Sequence, residues 1–208
     1  MNENHARLCA SPEWASYLQE ELLPAVMPGG GLGLEMLEIG PGPGAATRWL
    51  RHRTERLTAL ESDPAAAATL AAELAGTNVT VVVGDAAQLS FPDASFDSAG
   101  TFTMLHHVPT AELQYRVLAE AYRVLRPGGV LVGSDSLASN ELHHFHADDT
   151  YLPVEPATLL TRLQAIGFRR ITITVDKALG FIAGKPSAAD EDDGRPGAAG
   201  RPERETRS

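Results

Sequence analysis

The sequence has very little cysteine and lysine and no long apolar segment. Cys9 is its only cysteine, which excludes an intrachain disulfide and a zinc site built on several thiolates. The only lysines are Lys177 and Lys185, which disfavours mechanisms that need a Schiff-base lysine or a Tyr-x-x-x-Lys pair. The amino terminus is polar, and no apolar run approaches the roughly 18 residues that a membrane span needs. We therefore expect a soluble, cytoplasmic protein with no membrane partner.

Positive charge is also scarce in this chain. Its 208 residues include 17 Lys+Arg against 27 Asp+Glu, which gives a net charge of -10. Because such a surface repels phosphate backbones, we predict no nucleic-acid partner. Hydrophobic residues make up 43% of the chain, enough for one folded domain with shorter segments at its ends. Residues 186–208 contain no aromatic residue, Leu, Ile or Val, so we predict a disordered tail there.

Short apolar runs alternate with amphipathic ones along the rest of the chain. This alternation predicts an α/β fold with a doubly wound, mostly parallel sheet, whose ligand crevice lies at the carboxyl ends of the strands. The β-branched run Val79–Val83 predicts a strand buried on both faces. A turn at residues 176–177 predicts that the last strand is antiparallel to its neighbour. The predicted strands cover residues 34–39, 56–61, 79–83, 96–102, 130–134, 171–175 and 178–183. The predicted helices cover residues 12–26, 44–52, 64–74, 110–125 and 155–167.

A glycine-rich loop, residues 40–44, follows the first predicted strand and opens the helix after it. Glycine allows positive φ in a tight turn and lets a ligand approach the backbone closely. By itself the loop could be a simple strand-to-helix turn. However, Glu61 ends the second strand, where a carboxylate can bind both hydroxyls of a ribose. Asp85 ends the third strand, where a carboxylate can accept from an adenine amine, so the pattern favours an adenosine site.

Two other nucleotide sites fit the sequence less well. Gly40, Gly42 and Ala45 satisfy a loose dinucleotide fingerprint, but Pro41 and Pro43 remove two N–H donors that a pyrophosphate would need. A phosphate loop of the Gly-Lys-Ser/Thr type is absent from the sequence. An NAD(P)-dependent oxidoreductase therefore remains an alternative, as does a protein that binds an adenosyl cofactor without catalysis.

The motifs together resemble those of the class I S-adenosylmethionine-dependent methyltransferases, in their small type-11 branch. The resemblance is strong over residues 34–135 and looser elsewhere. It implies a Rossmann-like seven-stranded sheet with an antiparallel last strand, a methyltransferase domain over residues 34–185, and a lid helix and linker over residues 1–33. The stretches that carry the resemblance are 37–44, Glu61, 84–86 with Leu89 and 91–92, 96–97, 105–108 and 123–129.

The resemblance also implies how S-adenosylmethionine would be bound. The glycine loop and Glu38 would line the methionine half of the cofactor, with Glu38 near its amino group. Glu61 would hold the ribose, Asp85 and the backbone of Ala86 would hold the adenine, and Thr103 would face the methyl group. The implied cofactor-binding residues are Glu38, Gly40, Gly42, Gly44, Glu61, Asp85, Ala86 and Thr103.

The acceptor side of the reaction is less clearly encoded. Because the chain is acidic and shows no added recognition domain, we expect a small-molecule methyl acceptor. His107 and Asp135 follow the fourth and fifth strands and are the candidate catalytic residues. An N-terminal lid helix would bring Trp14 or Tyr17 to the cleft. The histidine- and acid-rich stretch 141–149 has side chains that suit a metal ion, but we interpret it as a polar connector and predict no metal site.

Overall fold

The computed structural model describes residues 3–188 and 190, and they form a sheet of seven strands. The strand order is β3-β2-β1-β4-β5-β7-β6, and β7 is antiparallel to both of its neighbours while β1 to β5 pair in parallel. The predicted Rossmann-like sheet with an antiparallel last strand is confirmed. The strands are β1 (Glu35–Ile39), β2 (Arg56–Glu61), β3 (Val79–Val83), β4 (Phe96–Phe102), β5 (Leu125–Asp135), β6 (Arg169–Val175) and β7 (Leu179–Gly184).

Helices flank this sheet, and four of those described begin at a residue whose side chain caps them. Asp63 accepts hydrogen bonds from the N–H groups of Ala65 and Ala66, and Thr110 accepts one from Leu113. No helix among residues 3–188 and 190 is long and apolar enough to cross a membrane. The helices are α1 (Glu3–Cys9), α2 (Pro12–Tyr17), α3 (Leu23–Ala25), α4 (Ala45–Leu50), α5 (Pro64–Glu73), α6 (Ala111–Val124), α7 (Asn140–Phe145) and α8 (Pro156–Ile166).

The core lies on both faces of the sheet because side chains alternate along each strand. On β1, Leu37 and Ile39 face one cluster, which also contains Leu118 of α6 and Leu163 of α8. Met36 faces the second cluster, together with Leu50 and the apolar side chains of the N-terminal helices. This two-sided packing is the doubly wound arrangement that the sequence predicted.

The N-terminal helical segment differs from the single helix predicted over residues 12–26. A π-helical turn, Leu18–Leu22, joins α2 to α3 without a break in the helical run. The wider turn helps to place Leu18, Leu22 and Leu23 against the sheet, where all three are buried. Helix α1, which precedes this segment, was not predicted.

Three sequence-based assignments need correction. Strand β3 is not buried on both faces, because it is an edge strand of the sheet and Val83 is 52% exposed. Residues 127–129 do not separate α6 from the fifth strand, because β5 starts at Leu125 and its pairing with β4 shifts register before Val130. The stretch 141–149 is not a plain connector, since Ser139 caps α7 at its start.

The predicted tail is described only in part. Asp190 accepts hydrogen bonds from Ser187 and forms an ion pair with Arg170 at 2.5 Å, so this part of the stretch contacts the sheet. Residue 189 and residues 191–208 lie outside the described residues.

Candidate functional site

A cleft of about 1150 Å³ lies at the carboxyl ends of β1 to β4, on the edge of the sheet where the sequence predicted a ligand crevice. The loops after these strands form its floor, and α2 with the π-helical turn forms part of its wall. Of the implied cofactor-binding residues, Gly44 is the one that does not line the cleft. Those that do are Glu38, Gly40, Gly42, Glu61, Asp85, Ala86 and Thr103.

The glycine loop connects β1 to α4 through three residues with positive φ: Gly40, Gly42 and Gly44, at 72°, 52° and 81°. A side chain at Gly40 would collide with Met104, since a Cβ there would lie 2.2 Å from its Cγ. A Cβ at Gly44 would meet Leu70 at 2.4 Å. The loop therefore passes close to its surroundings at both ends, and Gly44 serves the turn into α4 rather than the cleft surface.

Glu38 is an acidic side chain in an apolar position beside this loop. Its carboxyl is almost entirely buried, and burial raises its pKa to about 7, with Thr47 opposing the shift and Glu61 adding to it. Its Oε2 atom has no hydrogen-bond partner within the described part of the chain. An unpaired buried carboxyl oxygen at a cleft is suited to a cationic group of a ligand.

Glu61 is held by backbone groups at the end of β2. Its Oε2 accepts from the N–H of Gly42 at 3.1 Å, while its Oε1 accepts from the N–H groups of Ser62 and Asp63 at 2.8 and 3.0 Å. These bonds fix the carboxylate at the cleft and tie it to the glycine loop. Glu61 therefore supports the shape of the loop as well as presenting a carboxylate to a ligand.

The third and fourth strands end in the other implied cofactor residues. Asp85 is exposed, and its Oδ1 accepts from the N–H of Ala87 at 2.8 Å. Thr103 takes a φ of 52°, unusual for a β-branched residue, and its N–H donates to Ser134 at 2.8 Å. Backbone strain of this kind is often found where a chain is shaped around a ligand.

The structure separates the two candidate catalytic residues. His107 borders the cleft near Thr103, whereas Asp135 is fully buried and lies away from the cleft surface. The Nδ1–H of His106 donates to Oδ1 of Asp135, with 2.6 Å between the two atoms, so Asp135 pairs with His106 rather than with His107. Burial, together with repulsion by His106 and His5, lowers the pKa of His107 to about 3.

The N-terminal segment lines one side of the cleft. Trp14 and Gln19 line the cleft, and the Gln19 side chain donates to the carbonyl of Ala45 at 3.2 Å. Tyr17 instead packs beside Trp14 and does not line it. Sequence reasoning missed Cys9, which also lines the cleft and whose thiol pKa is raised by burial to about 11.

Residues 37–133 match the family model described as a methyltransferase domain. This stretch runs from β1 into β5 and contains the glycine loop, Glu61, Asp85 and Thr103. The chain carries a class I S-adenosylmethionine-dependent methyltransferase domain. The match disfavours the oxidoreductase alternative, because the cofactor of this family is S-adenosylmethionine rather than a nicotinamide.

Three proteins show what this methyltransferase domain is similar to. The probable ribosomal RNA small subunit methyltransferase A of Haloarcula marismortui is 38% identical over 89 residues, which are 41% of this chain and 30% of that protein. The malonyl-[acyl-carrier protein] O-methyltransferase of Serratia marcescens is 34% identical over 113 residues, 53% of this chain and 41% of that protein. The solved phosphoethanolamine N-methyltransferase 2 of Haemonchus contortus has a TM-score of 0.69 at 16% identity, covering 89% of this chain and 58% of that one.

These relatives limit how far the likeness of the methyltransferase domain extends. The chain spans less than half of the length of the two curated relatives described above. Their names also give different acceptors, a ribosomal RNA in one and a malonyl-[acyl-carrier protein] in the other. The solved structure is similar in fold. The family therefore does not identify the methyl acceptor of this chain, which depends on the residues that line its own cleft.

Proposed function

We propose that this protein transfers a methyl group from S-adenosylmethionine to a small-molecule acceptor. The observation that carries the proposal is the buried Oε2 of Glu38, which is unpartnered within the described part of the chain and borders the cleft beside the glycine loop. The amino group of a methionine moiety is a cation that this carboxyl would satisfy. A dinucleotide would instead place its anionic pyrophosphate against the glycine loop.

The other groups along the strand ends would hold the rest of the cofactor. Glu61 presents a carboxylate to the ribose hydroxyls, and Asp85 with the backbone of Ala86 borders the space for an adenine. Gly40, which has no side chain, leaves room beside Met104, and Thr103 lies on the same side of the cleft. This order of groups supports an extended cofactor laid across the ends of β1 to β4.

The cleft favours a small acceptor over a polymer. Trp14 and Gln19 wall it from the N-terminal side, which narrows the access that a folded RNA would need. Many arginines near the surface are also neutralised by carboxylates rather than gathered into a basic patch. Ion pairs of this kind involve Arg48, Arg56, Arg116, Arg123, Arg126 and Arg170.

When bound, S-adenosylmethionine supplies a methyl group on a positively charged sulfur, which is an excellent leaving group. The protein's contribution is then to align the acceptor and to exclude water, and alignment alone can contribute about 7–11 kcal/mol. His107 remains the candidate nearest to the acceptor side, but its low pKa makes it a weak base. We propose that His107 shapes the cleft and that Asp135 orients His106, without proton transfer by either.

The first test is the thermal unfolding of the full chain with S-adenosylhomocysteine, and with NADH as the control. At 100 times its dissociation constant a ligand stabilises the fold by about 2.7 kcal/mol. For a protein of this size we expect the unfolding temperature to rise by roughly 5–10 °C. A shift with NADH alone would contradict the proposal. A shift with S-adenosylhomocysteine but no turnover across a panel of small nucleophiles would favour the non-catalytic alternative.

A further inference from the structure

Four histidine side chains converge beside the acceptor end of the cleft. They come from three separate segments: His5 from α1, His106 and His107 from the turn after β4, and His146 from the end of α7. Each offers a ring nitrogen, and these four atoms all lie within 4.8 Å of one another. His5, His106 and His146 are buried, while His107 is half-buried and borders the cleft.

The Nδ1 atom of every ring in the cluster lies near a carboxylate or carbonyl oxygen, which for His5 is an oxygen of Asp149 at 3.4 Å. The Nδ1 atom of His106 lies 2.6 Å from a carboxylate oxygen of Asp135, and the Nδ1 atom of His146 lies 2.7 Å from the carbonyl of Leu142. The Nδ1 atom of His107 lies 3.2 Å from the carbonyl of Thr150. Metal-binding histidines typically donate one ring N–H to a carboxylate or carbonyl in this way, which directs the other nitrogen at the metal.

In two of these rings the opposite nitrogen has no hydrogen-bond partner among the described residues. The Nε2 atoms of His106 and His146 are both buried and make no hydrogen bond to any residue that the structure describes. Leaving two buried polar atoms without hydrogen bonds destabilises the folded protein. Two such atoms facing one cluster indicate that a ligand completes the site.

The spacing of the rings suits a single ion. Ring centroids within the cluster lie between 4.1 Å, for His106 and His107, and 6.3 Å, for His5 and His106. A tetrahedral ion with Zn–N bonds of about 2.1 Å holds its ligand atoms about 3.4 Å apart. Since the four nitrogens already lie within 4.8 Å, small side-chain movements would bring them into that geometry.

We propose that His5, His106, His107 and His146 bind one divalent transition-metal ion, with Zn²⁺ as the best match. Imidazole nitrogens suit Zn²⁺ among the biological cations, whereas Mg²⁺ and Ca²⁺ prefer oxygen ligands. The ion cross-links α1 and α7 to the turn after β4, and this role does not depend on methyl transfer.

The sequence did not predict this site. The polar stretch 141–149 suggested metal ligands. Of its residues, His146 is one of the four histidines and Asp149 lies 3.4 Å from His5, whereas His143 and His144 are exposed. His5, His106 and His107 have no fixed spacing to His146, so their meeting depends on the folded chain. The proposed site therefore replaces the expectation that the protein has none.

The test is the metal content and zinc affinity of the full chain, with His146→Ala and His144→Ala as a matched pair from the same region. We expect about one Zn²⁺ per chain after equilibration with zinc and removal of the excess. His146→Ala should weaken zinc binding at least ~10-fold, while His144→Ala should bind as the wild type does. Replacement by Co²⁺ should give the visible absorption of a tetrahedral nitrogen site.

Two further variants cover the case in which His146→Ala does not fold. His5→Ala removes one proposed ligand, and the protein should still fold because His5 lies on α1, a terminal helix outside the sheet. Asp135→Asn keeps all four ligands, and loss of such a supporting carboxylate should weaken zinc binding about 10- to 100-fold. Zinc should also raise the unfolding temperature of the wild type, and less so that of either variant.

Three results would overturn the proposal. The first is the absence of bound zinc in folded wild-type protein. The second is an equal loss of zinc affinity in His144→Ala and His146→Ala. The third is unchanged zinc affinity in both His5→Ala and Asp135→Asn. Binding of S-adenosylhomocysteine, measured on the same samples, keeps a failure of this site distinct from a failure of the proposed function.

Discussion

At the scale of single residues, Glu38 illustrates a conflict between stability and ligand binding. Its buried carboxyl has a pKa of about 7, against 4.5 for an ordinary glutamate, so the folded protein holds a proton that the unfolded chain releases. Stability of the ligand-free protein therefore falls as pH rises from about 4.5 to 7. A bound cationic group has the opposite effect on Glu38, because it stabilises the ionised carboxylate over the protonated carboxyl.

We predict that Glu38→Gln weakens S-adenosylhomocysteine binding and raises the unfolding temperature of the ligand-free protein at pH 8. A hydrogen bond to a charged group contributes about 1.5–3 kcal/mol, so the dissociation constant at pH 8 should rise about 10- to 100-fold. Wild-type affinity should also increase about 10-fold between pH 6 and pH 8, as Glu38 ionises, and the variant should lose this dependence. Isothermal titration calorimetry at both pH values measures both effects.

Glu35→Gln is the control for this substitution. Glu35 lies on the same strand, but its side chain pairs with Arg56 outside the cleft. The Glu35→Gln variant should therefore bind S-adenosylhomocysteine as tightly as the wild type does at both pH values. Equal affinities in the two glutamine variants would show that Glu38 does not contact the ligand.

At the scale of elements, the sequence predicted the features that depend on neighbouring residues. The glycine loop follows β1 directly, and Glu61 and Asp85 lie at the ends of successive parallel strands, so their meeting follows from the parallel sheet. Features that depend on distant contacts were missed. Helix α1 has seven residues and α7 has six, too short for a clear periodic pattern, and the exposure of β3 depends on its place at the edge of the sheet.

The glycine loop provides a prediction at this scale, from two glycines that differ in their surroundings. Both Gly40 and Gly42 have positive φ, but a Cβ at Gly40 would collide with Met104, whereas one at Gly42 would meet nothing within 4 Å. We expect Gly42→Ala to destabilise the fold by about 1–2 kcal/mol from backbone strain. Gly40→Ala should cost about 1–3 kcal/mol more because of overpacking. Urea unfolding curves measure the difference.

Gly29→Ala is the matched control for the pair. Gly29 has no neighbour within 4 Å of a Cβ and no positive φ, so the substitution should change the free energy of unfolding by no more than about 0.5 kcal/mol. Equal effects of Gly40→Ala and Gly42→Ala would mean that Met104 moves freely, and that the loop is not closely packed against the turn after β4.

At the scale of the whole molecule, net charge bears on whether this chain could bind RNA. The chain carries a net charge of -10, and many of its arginines are paired with carboxylates. A protein that binds RNA through several phosphates loses affinity steeply as salt rises, with a slope of about -0.7 per contact on single strands. A net negative charge and arginines paired with carboxylates both disfavour such contacts.

We therefore predict that the protein does not bind ribosomal RNA fragments at 50 mM salt, although it has similarity to ribosomal RNA methyltransferases. Filter binding with labelled RNA at 50 and 200 mM salt measures this, with and without S-adenosylhomocysteine. The control is Glu20→Lys with Glu21→Lys, on the outer surface of the π-helical turn, where both glutamates are exposed. This variant should gain at most a weak, salt-sensitive affinity. Tight binding of RNA by the wild type, with a steep salt dependence, would contradict the proposal of a small-molecule acceptor. For RNA to enter the cleft, the helical segment that carries Trp14 and Gln19 would have to move away.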